Sequence, residues 1–105
     1  MIQSFIPICA LSEISPGQIK AVRIGDKEIL LVRENGNLFA LDNVCTHDGG
    51  DLGDGTIIDG QIQCPRHGAR FDLKTGAVTQ MPAAIGIKTY KVKIENGDVL
   101  LDISD

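Results

Sequence analysis

The chain has 105 residues, 43% of them hydrophobic, with fourteen acidic side chains against ten basic ones and a formal net charge of −4. That length holds a single domain with a modest core, and the acidity argues against nucleic acid or an anionic membrane surface as partner. Mean hydropathy near zero (+0.07) is that of a folded globular protein, and no stretch approaches the ~18 apolar residues of a membrane span.

Met1 to Phe5 carries neither a basic segment nor a long apolar run, so no secretory signal is expected and the chain is read as cytoplasmic. Phe5 to Ala10 is extended, and Pro7 marks it as an edge strand because proline cannot donate to a ladder. Cys9 lies in this strand and is read as a small hydrophobe. Leu11 to Ile14 has room for one helical turn, and no longer helix is expected. Gln18 to Ile24 alternates, Gly25-Asp26 suits a tight turn, and Lys27 to Arg33 holds the unbroken apolar run Ile29-Leu30-Leu31-Val32. Such a run is either buried on both faces or ambiguous in register. Asn35-Gly36, the strongest short hairpin signal, leads into Leu38 to Leu41.

Further on, Thr56 to Ile58 and Gln61 to Gln63 flank the turn Asp59-Gly60, and a short strand is expected around Arg70 to Leu73 before Thr75-Gly76. Ile87 to Glu95 alternates so that Tyr90, Val92 and Ile94 are expected to face the core. Asn96-Gly97 then turns the chain into Val99 to Ile103. Four short hairpins in about a hundred residues predict an all-β fold of small antiparallel sheets. Basal strands come from about 1–42 and 73–105, with a subdomain of about 43–72 inserted between them.

The inserted segment carries the chemistry. Cys45-Thr46-His47 is followed, after sixteen residues, by Cys64-Pro65-Arg66-His67. These are the protein's only two histidines and two of its three cysteines. Four metal-ligating side chains thus fall into two short loops as C-x-H and C-x-x-H. A tetrahedral zinc could take all four, and so could a two-iron cluster with Cys45 and Cys64 on one iron and His47 and His67 on the other. Zinc modules usually pair like with like, and the mixed C-x-H pair favours the cluster. Gly49, Gly50 and Gly68 follow the ligand pairs, where close backbone approach and positive φ are useful.

The spacing, together with Phe71-Asp72, Thr75-Gly76 and Met81-Pro82-Ala83, resembles the Rieske-type 2Fe–2S ferredoxins of bacterial ring-hydroxylating oxygenase systems. The resemblance implies one Rieske cluster held by Cys45, His47, Cys64 and His67 at a surface tip, with Pro82 in a third loop covering it. Rieske proteins of respiratory and photosynthetic membrane complexes add a disulfide between the ligand loops and two hydroxyl donors after the second pair. The matching positions here are Gly50 and Arg66, then Ala69 and Phe71, which point to the soluble, low-potential branch.

The formal charge of two ferric ions, two sulfides, two thiolates and two imidazoles is about zero, which makes reduction easier than for an all-cysteine cluster. By resemblance the protein is a one-electron carrier, not an enzyme. It takes electrons from a flavin-containing NAD(P)H ferredoxin reductase and passes them to a terminal oxygenase. A small subunit of a nitrite-reductase-type complex and a structural zinc-binding interaction module are the alternatives. Asp48, Asp51 and Asp54 suggest an acidic docking rim that Arg66 and Arg70 oppose or orient, against the plainer reading of solvated loop charge.

Overall fold

A computed structural model of the chain describes residues 5–45, 49–66, 68–81 and 85–103. Ten strands are found among them: β1 (Phe5–Ala10), β2 (Ile19–Ile24), β3 (Lys27–Glu34), β4 (Asn37–Asp42), β5 (Thr56–Ile58), β6 (Gln61–Gln63), β7 (Arg70–Asp72), β8 (Val78–Gln80), β9 (Thr89–Glu95) and β10 (Asp98–Asp102). The helical content among the described residues is a single 3₁₀ turn, Leu11–Glu13, at the place where the sequence has room for one. Among the described residues no helix is long and apolar enough to cross a membrane.

Turn chemistry sets the hairpins. Asn35 and Gly36 have φ of 52° and 76°, Asp59 and Gly60 of 47° and 79°, and Asn96 and Gly97 of 52° and 81°. Positive φ at both central residues is the type I′ geometry whose twist matches that of the flanking strands. The flanking residues pair across each turn: Glu34 with Asn37, Ile58 with Gln61, Glu95 with Asp98. Gly25 has φ 63° in the fourth hairpin, where Ile24 pairs with Lys27.

The strands form a six-stranded sheet ordered β1-β10-β9-β4-β3-β2 and a four-stranded sheet ordered β5-β6-β7-β8. The larger sheet takes strands from both ends of the chain, and the smaller one is inserted between β4 and β9. Edge strands β1 and β2 face one another across an open cleft of about 440 Å³ lined by Ile6, Pro7, Ile8, Val22, Arg23 and Ile24. The missing donor of Pro7 and a register shift between Pro7 and Cys9 blunt that edge.

Two apolar cores share one wall. In β3, Leu30 and Val32 pack with Leu41, Leu52, Ile62 and Phe71, whereas Ile29 and Leu31 pack with Ile14, Ala40, Val99 and Leu101. All four β3 side chains are fully buried, so the unbroken run is a strand covered on both faces. Cys9 is half-buried against the second core. Burial pushes its thiol above the ordinary range, and the nearby Glu13 adds to the shift. Cys9 therefore packs as a small hydrophobe.

Two expectations need amendment. Ile94 is 48% exposed although the alternation of β9 points it inward. The reason is coverage: β9 pairs with β4 only at Thr89 and Tyr90, so among the described residues no strand pairs with its far end on that side. The short strand β8 was not expected. It pairs with β7 through Arg70–Gln80 and Phe71–Val78 and extends the smaller sheet to Gln80.

Candidate metal centre

The two cysteines of the ligand motif sit at the ends of secondary structure, one shortly after β4 and one directly after β6. Both are fully buried, in the same apolar cluster as Leu52, Ile62, Ala69 and Phe71. Neither forms a disulfide. His47 and His67 lie outside the described residues, as do Asp48 and Pro82. Accordingly, the described residues contain no group of three or more His, Cys, Asp or Glu able to hold a metal.

The two loops repeat one backbone design. Cys45 N–H donates to the Gly50 carbonyl (2.8 Å), and the Cys45 carbonyl accepts from Gly49 N–H (2.7 Å). In the second loop Cys64 N–H donates to the Ala69 carbonyl (2.8 Å), and the Cys64 carbonyl accepts from Gly68 N–H (3.2 Å). Gly49 and Gly68 hold φ of 75° and 78°, a left-handed conformation that costs glycine little. The bonds fall at the same offsets, so Cys45 corresponds to Cys64, Gly49 to Gly68 and Gly50 to Ala69. A sequence that reads C-x-H in one loop and C-x-x-H in the other thus folds as two loops of equal length. Two buried soft donors at equivalent positions of twin loops, each followed within three residues of sequence by a histidine, suit a cluster with two cysteine and two histidine ligands.

Side chains brace these loops. Asn43 Oδ1 accepts from Leu52 N–H and Gly53 N–H, both at 2.9 Å. Asn43 Nδ2 donates to Glu28 Oε2 (3.4 Å) and its backbone N–H to the Glu28 carbonyl (2.9 Å). Asn43 therefore ties the first loop to β3. Gln80 Nε2 donates to the Gly68 carbonyl (2.8 Å), which ties β8 to the second loop. Neither role shows in the sequence, because the partners lie nine to fifteen residues away and no periodicity links them.

The motif Phe71-Asp72 with Thr75-Gly76 also has a structural account. Asp72 Oδ2 accepts from Lys74 N–H (3.1 Å), Thr75 N–H (2.8 Å) and Thr75 Oγ1 (2.9 Å). This Asx-type turn closes the β7–β8 connection. Of the rim residues, Asp51 and Asp54 are exposed. Arg70 Nε instead donates to Gln63 Oε1 (2.7 Å) within the smaller sheet. Met81 and Ile85, on either side of Pro82 in the sequence, are 81% and 69% exposed. An open polar cleft of about 580 Å³ lies below the first loop, lined by Asp26, Lys27, Glu28, Asp42, Asn43, Val44, Lys88 and Tyr90, and it includes neither cysteine.

The Rieske [2Fe-2S] domain family matches residues 4–91. This chain belongs to the Rieske [2Fe-2S] family. Its cofactor is one Rieske 2Fe–2S cluster, as the motif predicted and in place of the zinc alternative, and its role is one-electron transfer. The ferredoxin component of a naphthalene 1,2-dioxygenase system from Pseudomonas putida is 40% identical over 104 residues, which is 99% of this chain and all of that one. The Sphingomonas yanoikuyae B1 ferredoxin has the same fold at 35% identity and a TM-score of 0.89, covering 96% of this chain and all of that chain. A structure of the complex of reduced oxygenase and oxidized ferredoxin in carbazole 1,9a-dioxygenase contains a chain with TM-score 0.86 and 29% identity, covering 96% of this Rieske protein and 94% of that chain.

Proposed function

We propose that this Rieske protein is the ferredoxin of a ring-hydroxylating oxygenase system, with Cys45, His47, Cys64 and His67 as the cluster ligands. One observation carries the ligand assignment: Cys45 and Cys64 occupy equivalent positions in two loops with the same backbone hydrogen bonds. The chain is read as a single Rieske domain over 1–105, in which 43–72 together with β8 presents the loops and the remaining strands support them. A cluster held there would supply one-electron redox chemistry. The chain's own contribution is to fix the two thiolates in an apolar, water-excluding cluster of side chains and to hold the loops through Asn43 and Gln80.

By its likeness to dioxygenase ferredoxins along its whole length, the protein receives electrons from a flavin-containing NAD(P)H reductase and delivers them to a terminal oxygenase in the cytoplasm. That likeness favours this pathway over a nitrite-reductase-type complex. Exposed Asp51 and Asp54 beside the first loop would steer a basic docking face, affecting encounter more than affinity.

The test is a stopped-flow mixing of chemically reduced protein with an oxidised terminal oxygenase from such a system. Reoxidation much faster than in buffer alone is expected, with a rate that falls as salt screens the aspartates. Reoxidation no faster than in buffer, across several oxygenases, would discard the pathway. Cys45→Ala and Cys64→Ala should each purify without the visible spectrum, and a full spectrum in either would discard the ligand assignment.

Removing the cluster should also lower stability. The segment 49–55 has Leu52 as its one fully buried side chain, and metal binding contributes to folding where ligands organise loops. The thermal midpoint of the apo-protein is expected to lie well below that of the holo-protein, while the larger sheet retains its far-ultraviolet signal. Equal midpoints would show that the loops hold themselves.

A further inference from the structure

We infer that Arg66 is a clamp between the two cluster loops and that Gly50 is its seat. Arg66 belongs to the second loop, yet its Nη1 donates to the Asp51 carbonyl of the first (2.9 Å). The guanidinium also lies flat against Gly50. A Cβ placed on Gly50 would stand 2.8 Å from Arg66 Cζ, 2.8 Å from Nη2 and 3.1 Å from Nε. Real Cβ atoms do not approach that closely, so any other residue at position 50 forces the guanidinium to move from this seat.

Positive φ, expected to be useful at this position, does not account for the glycine. Its φ lies outside the left-handed region, unlike that of Gly49 next to it. Gly50 is therefore accounted for by the space Arg66 needs. The Gly50 carbonyl meanwhile accepts from Cys45 N–H (2.8 Å). One glycine thus joins the clamp on one side to the cysteine on the other. A planar, always charged guanidinium suits this role, because one face can cover a glycine while the edge donates. The function assigned to Arg66 is positioning: it holds Gly50 and Asp51, and through the Gly50 carbonyl Cys45, in place and so slows loss of the cluster.

The inference rests on the reading that these loops hold the cluster. It is tested on purified holo-protein by following visible bleaching in excess iron chelator. The variants are Arg66→Ala, Gly50→Ala, the double variant and Arg66→Lys. Cluster content at purification separates the two readings. The clamp variants should purify with the spectrum, whereas Cys45→Ala should not. One net hydrogen bond read as a rate ratio is about two- to tenfold. Arg66→Ala and Gly50→Ala should each bleach faster by about that factor, and the double variant should bleach no faster than the faster single one. Arg66→Lys, which keeps a donor of similar reach, should recover part of the loss. The clamp is overturned if either single variant bleaches at the wild-type rate, if the two effects multiply in the double variant, or if Arg66→Lys bleaches as fast as Arg66→Ala.

Discussion

Replacing Gly76 with alanine is expected to remove much of the fold's stability, whereas the same replacement at Gly97 should be tolerated. Both glycines have positive φ, 77° and 81°, so each substitution carries the left-handed penalty of about 1–2 kcal/mol. Their surroundings differ. A Cβ on Gly97 meets nothing within 4 Å, but one on Gly76 falls 1.9 Å from the Ile87 carbonyl oxygen and 3.0 Å from its carbon. That neighbour is backbone and cannot swing away. Gly76 N–H donates to the Asp72 carbonyl, and the Gly76 carbonyl accepts from Ile87 N–H, both at 2.8 Å. The crossing therefore welds the β7–β8 turn to the segment that leads into β9. Accommodating the methyl group requires this crossing to separate, at a cost of about 4 kcal/mol or more, comparable with much of a small domain's stability. Urea unfolding of the holo-proteins, followed by circular dichroism and visible absorbance, measures both variants. Equal midpoints for Gly76→Ala and Gly97→Ala would show that the Ile87 contact is not decisive.

The second large effect concerns redox potential. Ala69 and Phe71 stand where high-potential relatives of the resembled family carry hydroxyl donors. Both are fully buried in the apolar cluster that contains Cys45 and Cys64. A donor to a sulfur ligand favours the reduced, more negative form. Hydrogen bonds to charged groups contribute roughly 1.5–3 kcal/mol, and for one electron 1.4 kcal/mol corresponds to about 59 mV. Each restored donor should raise the midpoint by roughly 60–130 mV. The unmodified protein should lie near the low end of the Rieske range, around −150 mV. Ala69→Ser and Phe71→Tyr should each move the potential upward, and the pair further. Voltammetry decides between this and other control of the potential. A wild-type value well above zero, or a double variant that keeps its Rieske spectrum without rising, would remove the missing hydroxyls as the cause.

What the sequence revealed beforehand follows the range of the forces involved. Asn35-Gly36, Asp59-Gly60 and Asn96-Gly97 were legible because a turn is decided by the residues inside it. Cys45 and Cys64 stood out beforehand because candidate metal-ligating residues crowd into two short stretches of the sequence. Ile94 was misplaced because alternation gives a side chain's face and not whether another layer covers it. Strand β8, three residues long, escaped because its stability comes from pairing with β7 and not from its own composition. Asn43 and Gln80 look like ordinary polar residues until the fold brings Leu52 and Gly68 to them. The Thr75-Gly76 turn could be read locally, but the carbonyl of Ile87 lying against it could not.

The shared wall formed by β3 bears on how this protein can be taken apart. The smaller sheet shares its interior with the larger one. Leu30 and Val32 of β3 and Leu41 of β4, all outside the inserted segment, belong to the same buried cluster as its cysteines. Residues 43–80, transplanted alone into another scaffold, would leave that interior open to water and would not assemble a cluster. The smallest portable electron-transfer unit must carry β3 and β4 with it. Since the opposite face of β3 then needs Val99 and Leu101 to cover it, the request grows to nearly the whole chain. Recombination that moves this redox unit between proteins should therefore find its viable breakpoints near the chain ends and not at the edges of the loops that look most like a module.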